Sequence, residues 1–147
     1  MQEHPEYFHQ DAQGKPVTTV PDWSDVIDLK HPHPGLTEYL VETLKGWAEF
    51  GVDGFRCDVA SLIPQEFWAE ARRHVAEVKP GVIWLAESVH ASFVGYRRSQ
   101  DLSGLSDSEI YESFDLTYDY DIWPIWQLAV QGKVTVRRYL EMLRFQD

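Results

Sequence analysis

Between residues 34 and 50, Leu36, Tyr39, Leu40, Leu44, Trp47 and Ala48 return at three- and four-residue steps, the period that lines one face of an α-helix. Pro34 suits the first turn of that helix, where its missing N–H would be unpaired anyway, and Gly51 stops it. The run VDGFRCDVA, 52–60, is short and bounded by Gly51 and the turn near Pro64, and it predicts a strand over 52–57. Phe67, Trp68, Ala71, Val75 and Val78 predict a second helix over 64–79, ended by Pro80 and Gly81. VIWLA, 82–86, is apolar without interruption, which predicts a strand buried on both faces, as in a parallel sheet covered by helices. FDLTYDY, 114–120, alternates in part and predicts a third strand. WPIWQLAVQGKVTVRRYLEMLRF, 123–145, predicts one or two helices broken at Gly132. Residues 1–21 have no period and read as an ordered loop. Residues 22–33 read as a short apolar stretch with two X-Pro turns, and 88–112 as polar and irregular. Strands alternating with helices predict βαβ units and a parallel α/β fold.

Composition narrows the function classes. The chain has 147 residues, one domain's worth, and its hydrophobic fraction of 44% is enough for a core. A net charge of −11 argues against nucleic acid, whose phosphates would be repelled, and equally against an anionic membrane surface. It permits a neutral substrate such as a glucan. Six Trp in this short chain belong first to a core and second to a sugar-binding cleft, where ring faces pack on pyranoses. The single cysteine, Cys57, forms no intrachain disulfide, and residues 1–20 have no leader pattern. No apolar run approaches a membrane span. These features point to a cytoplasmic location.

Two carboxylates sit where parallel α/β proteins gather their chemistry, at the carboxyl ends of strands. Asp58 follows the strand 52–57, and Glu87 follows 82–86. If the strands are neighbours, both acids enter one cleft. Arg56, two residues before Asp58, shares its strand face and would hold Asp58 ionised. Glu87, after Val, Ile, Trp and Leu, is expected to be partly desolvated, which would favour its protonated form. An ionised and a protonated carboxyl are the minimum equipment for breaking a glycosidic bond, although an acid after a strand is more often a cap or a salt-bridge partner.

The motifs themselves are more specific. GFRCDVA, 54–60, resembles the nucleophile motif of the alpha-amylase family of glycoside hydrolases, Gly-Phe-Arg-x-Asp on the fourth strand of a TIM barrel. WLAES, 84–88, resembles the family's acid/base motif on the fifth strand, and DVIDL, 25–29, a short stretch in the insertion before the third helix. The resemblance implies a partial (β/α)8 barrel of about three βα units. Residues 1–21 would end the insertion between the third strand and third helix, and 22–147 would form the central part of the catalytic barrel. It implies Asp58 as nucleophile, Glu87 as general acid/base and Arg56 as the residue positioning the nucleophile. The mechanism would be retaining, on alpha-linked glucans or oligosaccharides. Asp28 and His90 are the candidate substrate-side residues, Asp28 with a mainly structural role.

The family's pattern is not followed throughout. Many members carry Lys-His three and four residues after the nucleophile, where this chain has Ser61 and Leu62. Ala86 replaces the usual glycine before the acid/base residue. The third catalytic Asp motif, Phe-x-x-Asn-His-Asp, does not occur in these residues. The expectation is therefore a piece of a longer catalytic domain, inactive alone and completed by the remainder of the barrel. A transglycosylase shares the same intermediate, and a non-catalytic amylase-like interaction module is the reading from another class. No cofactor is implied, and these residues do not support a calcium site. His4, His9, His31 and His33 form no metal-ligand spacing; His31 and His33 belong to the turn before the first predicted helix. Tyr118, Asp119 and Asp121, after the third strand, are assigned no role.

Overall fold

The computed structural model describes residues 3–20, 22–23 and 25–144. Met1, Gln2 and Pro21 of the first predicted segment, and Phe145 at the end of the last predicted helix, lie outside them. Helix α1, Pro34–Phe50, begins with the ring of His33 accepting the Leu36 N–H at 3.3 Å and ends at Gly51, whose φ of 114° is the left-handed conformation that glycine adopts without steric cost. Strand β1, Gly54–Cys57, leads through a 3-10 turn at Ala60–Leu62 to helix α2, Gln65–Val78. Strand β2, Ile83–Ala86, is followed by helices α3, Ala91–Ser99, and α4, Asp107–Ile110. Strand β3, Leu116–Thr117, precedes α5, Trp123–Val130, and α6, Val136–Leu143, which are separated at Gly132.

The three strands form one parallel sheet in the order β1-β2-β3, the α/β arrangement that alternation of elements predicts. Gly54 pairs with Ile83 and Cys57 with Ala86, while Leu85 pairs with Leu116. Gly54 is required there: a Cβ would stand 2.7 Å from the Ile83 carbonyl oxygen. Asp115 ties the third strand in, its carboxylate accepting the Trp84 N–H at 2.8 Å and the Arg72 guanidinium of α2. That cation holds the Asp115 carboxyl below the usual carboxylate range.

The core lies between one face of the sheet and α1 and α2. Trp84, 1% exposed, packs between Phe55 and Phe114, and Trp68 of α2 closes over Phe114 while its indole donates to the Ala60 carbonyl at 3.0 Å. The predicted face of α2 is the buried one, with Val78 at its margin. On α1 the buried set is Leu36, Val41 and Ala48, and Tyr39 and Trp47 turn outward. The expectation that β2 is buried on both faces is corrected. Trp84 and Ala86 are buried, but Ile83 is 52% exposed, because no described element covers the Gly54–Ile83–Leu116 side. Residues 88–112, expected to be irregular, hold two short helices. The second starts with a capping box, Ser106 accepting the Glu109 N–H and the Glu109 carboxylate taking the Ser106 N–H.

Candidate active site

Parallel pairing brings the ends of β1 and β2 side by side, so the residues just beyond Cys57 and Ala86 emerge together. These are Asp58 and Glu87, and the Glu87 N–H continues the ladder by donating to the Cys57 carbonyl at 3.0 Å. Arg56 projects from the uncovered sheet face and reaches both acids: one amino group pairs with Asp58 and the other with Glu87 Oε2 at 2.7 Å. The Tyr118 ring lies 5.8 Å from the guanidinium centre. With Tyr118, Asp58 and Glu87 around it, the Arg56 guanidinium is held well above its ordinary value.

Glu87 is partly desolvated, but its surroundings are more polar than the apolar run before it suggests. Its side chain is only 22% exposed, but its carboxylate meets Arg56 and the Val59 N–H, which donates to Oε2 at 3.1 Å. The run that precedes it sends Trp84 and Ala86 under the helices instead. Val59 serves Glu87 from a left-handed conformation, φ 42°, which is costly for a β-branched side chain. Asp58 is open to solvent, with 71% of its side chain exposed.

Asp58 and Glu87 line a cleft of about 830 Å³ together with Asp28 and His90. Asp28 braces the N-terminal loop, accepting the Thr19 N–H at 2.8 Å, and the buried Arg97 donates to the Thr19 hydroxyl at 2.6 Å. His90 is exposed at the start of α3, its ring 4.9 Å from that of Tyr120. Trp23 and Phe93, 6.1 Å apart, add an aromatic wall. Ser61, buried, accepts the Val89 N–H at 3.2 Å, and Leu62 lines the cleft. His31 is partly buried against Phe67, is held below its ordinary value by burial, and does not line the cleft.

Sequence reasoning did not find the Val59 N–H, the Tyr118 ring over Arg56, or the Trp23–Phe93 wall. Each depends on a backbone conformation or a long-range approach that no local pattern encodes. Among the described residues, no group of three His, Cys, Asp or Glu is placed to hold a metal ion, and no helix is long and apolar enough to cross a membrane.

No protein-family model matches the chain. It is 38% identical over 120 residues to a maltogenic alpha-amylase of Bacillus acidopullulyticus, covering 80% of this chain and 18% of that protein. It is 39% identical over 67 residues to a cyclomaltodextrinase of a Bacillus species, covering 45% of this chain and 12% of that protein. Among solved structures, an alpha-amylase from Lactobacillus plantarum shares 49% of its residues at a TM-score of 0.90, covering 99% of this chain and 34% of that chain. The chain thus spans about a third or less of the length of these relatives. With nearly all of its length superposed at close to half identity, the chain belongs to the alpha-amylase family of glycoside hydrolases.

Proposed function

We propose that this chain is the central part of a retaining glycosidase barrel acting on alpha-linked glucans or oligosaccharides. Residues 1–21 close an insertion between the third strand and third helix of a (β/α)8 domain, and 22–147 supply the middle of its barrel. The observation that carries the reading is the single guanidinium of Arg56 bridging two carboxylates that leave neighbouring strand ends into one cleft. One guanidinium spans only a few ångström, which supports the separation of roughly 5–5.5 Å that retaining enzymes use.

Asp58 attacks the anomeric carbon as a carboxylate, and Glu87 gives its proton to the departing glycosidic oxygen as that bond breaks. The product is a glycosyl ester on Asp58 and a free sugar hydroxyl. Glu87, now ionised, takes a proton from water as the water oxygen displaces Asp58, which restores both groups. Arg56 keeps Asp58 oriented, and its contact to Glu87 passes to Asp58 when Glu87 is protonated. Asp28 and His90 line the substrate side. A sugar hydroxyl in place of water makes the same site a transglycosylase. A non-catalytic amylase-like module is disfavoured by the presence of Asp58, Glu87 and Arg56 together.

Anomer-resolved NMR of maltopentaose with the full-length protein, beside Asp58→Asn, tests this. The expected result is alpha-anomer product from wild type and none from the variant. Beta-anomer product, or an Asp58→Asn variant as active as wild type, would overturn it.

A further inference from the structure

Behind Glu87 lies a buried polar pocket that the proposed chemistry leaves unused. Ser88, its neighbour in sequence, is 1% exposed, and Asp107, in the first turn of α4, is 2% exposed. Asp107 Oδ2 accepts the Asp121 N–H at 3.3 Å. The Ser88 hydroxyl faces the same carboxyl without closing a full hydrogen bond. Asp107 Oδ1, Ser88 Oγ and Asp121 Oδ1 are all buried without a partner. An ionised carboxyl in that place leaves buried acceptors short of donors, a costly arrangement. A proton on Asp107 supplies a donor. Burial, with the Asp121 and Asp119 carboxylates adding like charge, holds Asp107 above its ordinary value, and the Ser88 hydroxyl opposes this only in part.

We propose that Asp107 is a positioning residue for the reaction. As a neutral carboxylic acid it joins Ser88, the neighbour of Glu87, to the 119–121 turn that carries Tyr120. Glu87 is thereby fixed from behind, while Tyr120 packs on His90 across the cleft. The inference rests on the reading of Glu87 as the acid/base. Other charged groups around Asp107 are Asp119 and Asp121 on the turn after β3 and, on its own helix, Glu109, which engages Arg98 and Ser106. The sign follows from the neutral form being the fitting one. Its contribution is complete at low pH and is lost as pH rises through the Asp107 value, when a third negative charge joins Asp119 and Asp121.

The test is steady-state kinetics of the full-length protein on maltopentaose across pH, comparing wild type, Glu87→Gln, Asp107→Asn, Asp107→Ala and Ser88→Ala. Asp107→Asn keeps a neutral donor, so kcat stays within about threefold of wild type and the alkaline limb of the kcat profile moves upward. Asp107→Ala lowers kcat about tenfold with KM changed less than about twofold. Ser88→Ala removes a group that favours the ionised form, so its alkaline limb moves upward too. This milder variant keeps the readout available if Asp107→Ala does not fold. Equal impairment of the Asn and Ala variants, or an alkaline limb unmoved in both Asp107→Asn and Ser88→Ala, overturns the proposal and leaves the acid/base reading intact. A Glu87→Gln variant as active as wild type removes that reading, and the positioning role with it.

Discussion

At the scale of single residues, the site turns on one cation serving two acids. Arg56 makes both contacts from a single rotamer, and a planar fork of fixed geometry is what allows it. Lysine offers a point charge in its place and cannot span both. Arg56→Lys in the full-length protein is therefore expected to lower kcat on maltopentaose by about 10²-fold, since misplacing a reacting group by about an ångström costs that much. A variant within threefold of wild type would remove Arg56 from the positioning role. Asp58, Glu87 and Arg56 were all legible in the sequence, because a short motif at a strand end specifies both residue type and place. The partners of Glu87 were not. Glu87 meets the Arg56 guanidinium across the strand ends, and it meets the Val59 N–H with Val59 at φ 42°, a conformation that valine rarely takes and that its sequence gives no sign of.

At the scale of elements, β1 and β2 carry the two acids, and their close approach depends on Gly54. Replacing Gly54 by Ala sets a methyl group against the Ile83 carbonyl, a backbone atom that moves only with its strand. The expected cost is about 1–3 kcal/mol of stability, as for overpacking elsewhere. It is read as a lower thermal midpoint and as a fall in kcat when the strand ends part. An unchanged midpoint would show that the strands yield. Helices α1 and α2 were legible from period and caps, since an amphipathic stripe against a sheet leaves a strong trace. Helices α3 and α4 were not, because their sequences bury only Val94, Arg97, Asp107 and Ile110, and so have no apolar stripe. The one signal available was Ser106 followed three residues later by Glu109, a capping box that fixes a helix start without any hydrophobic pattern.

At the scale of the molecule, the described residues cover the sheet on one side only. Ile83 and Leu116 are each more than half exposed, and α5 and α6 contribute no buried residue, with Trp123, Val130, Val136 and Leu140 turned outward. Apolar side chains exposed in this number mark surface that a further part of the fold covers. The 147-residue chain alone is accordingly expected to bind a hydrophobic dye such as ANS and to leave maltopentaose intact, while the full-length protein does neither. Turnover by the isolated chain would overturn the view that the rest of the barrel is needed.

The sequence by itself determined the α/β class, the order of the three strands with α1 and α2, and the placement of Asp58, Glu87 and Arg56 at strand ends. Periodicity, caps and a motif at a strand end are all local, and local features survive in one dimension. Tertiary structure alone decided what those groups meet: the guanidinium shared between Asp58 and Glu87, the aromatic wall of Trp23 and Phe93, and the buried Asp107 behind Ser88. It also decided which apolar strand residues are core, because burial is a property of what packs on a face and not of the residues that form it.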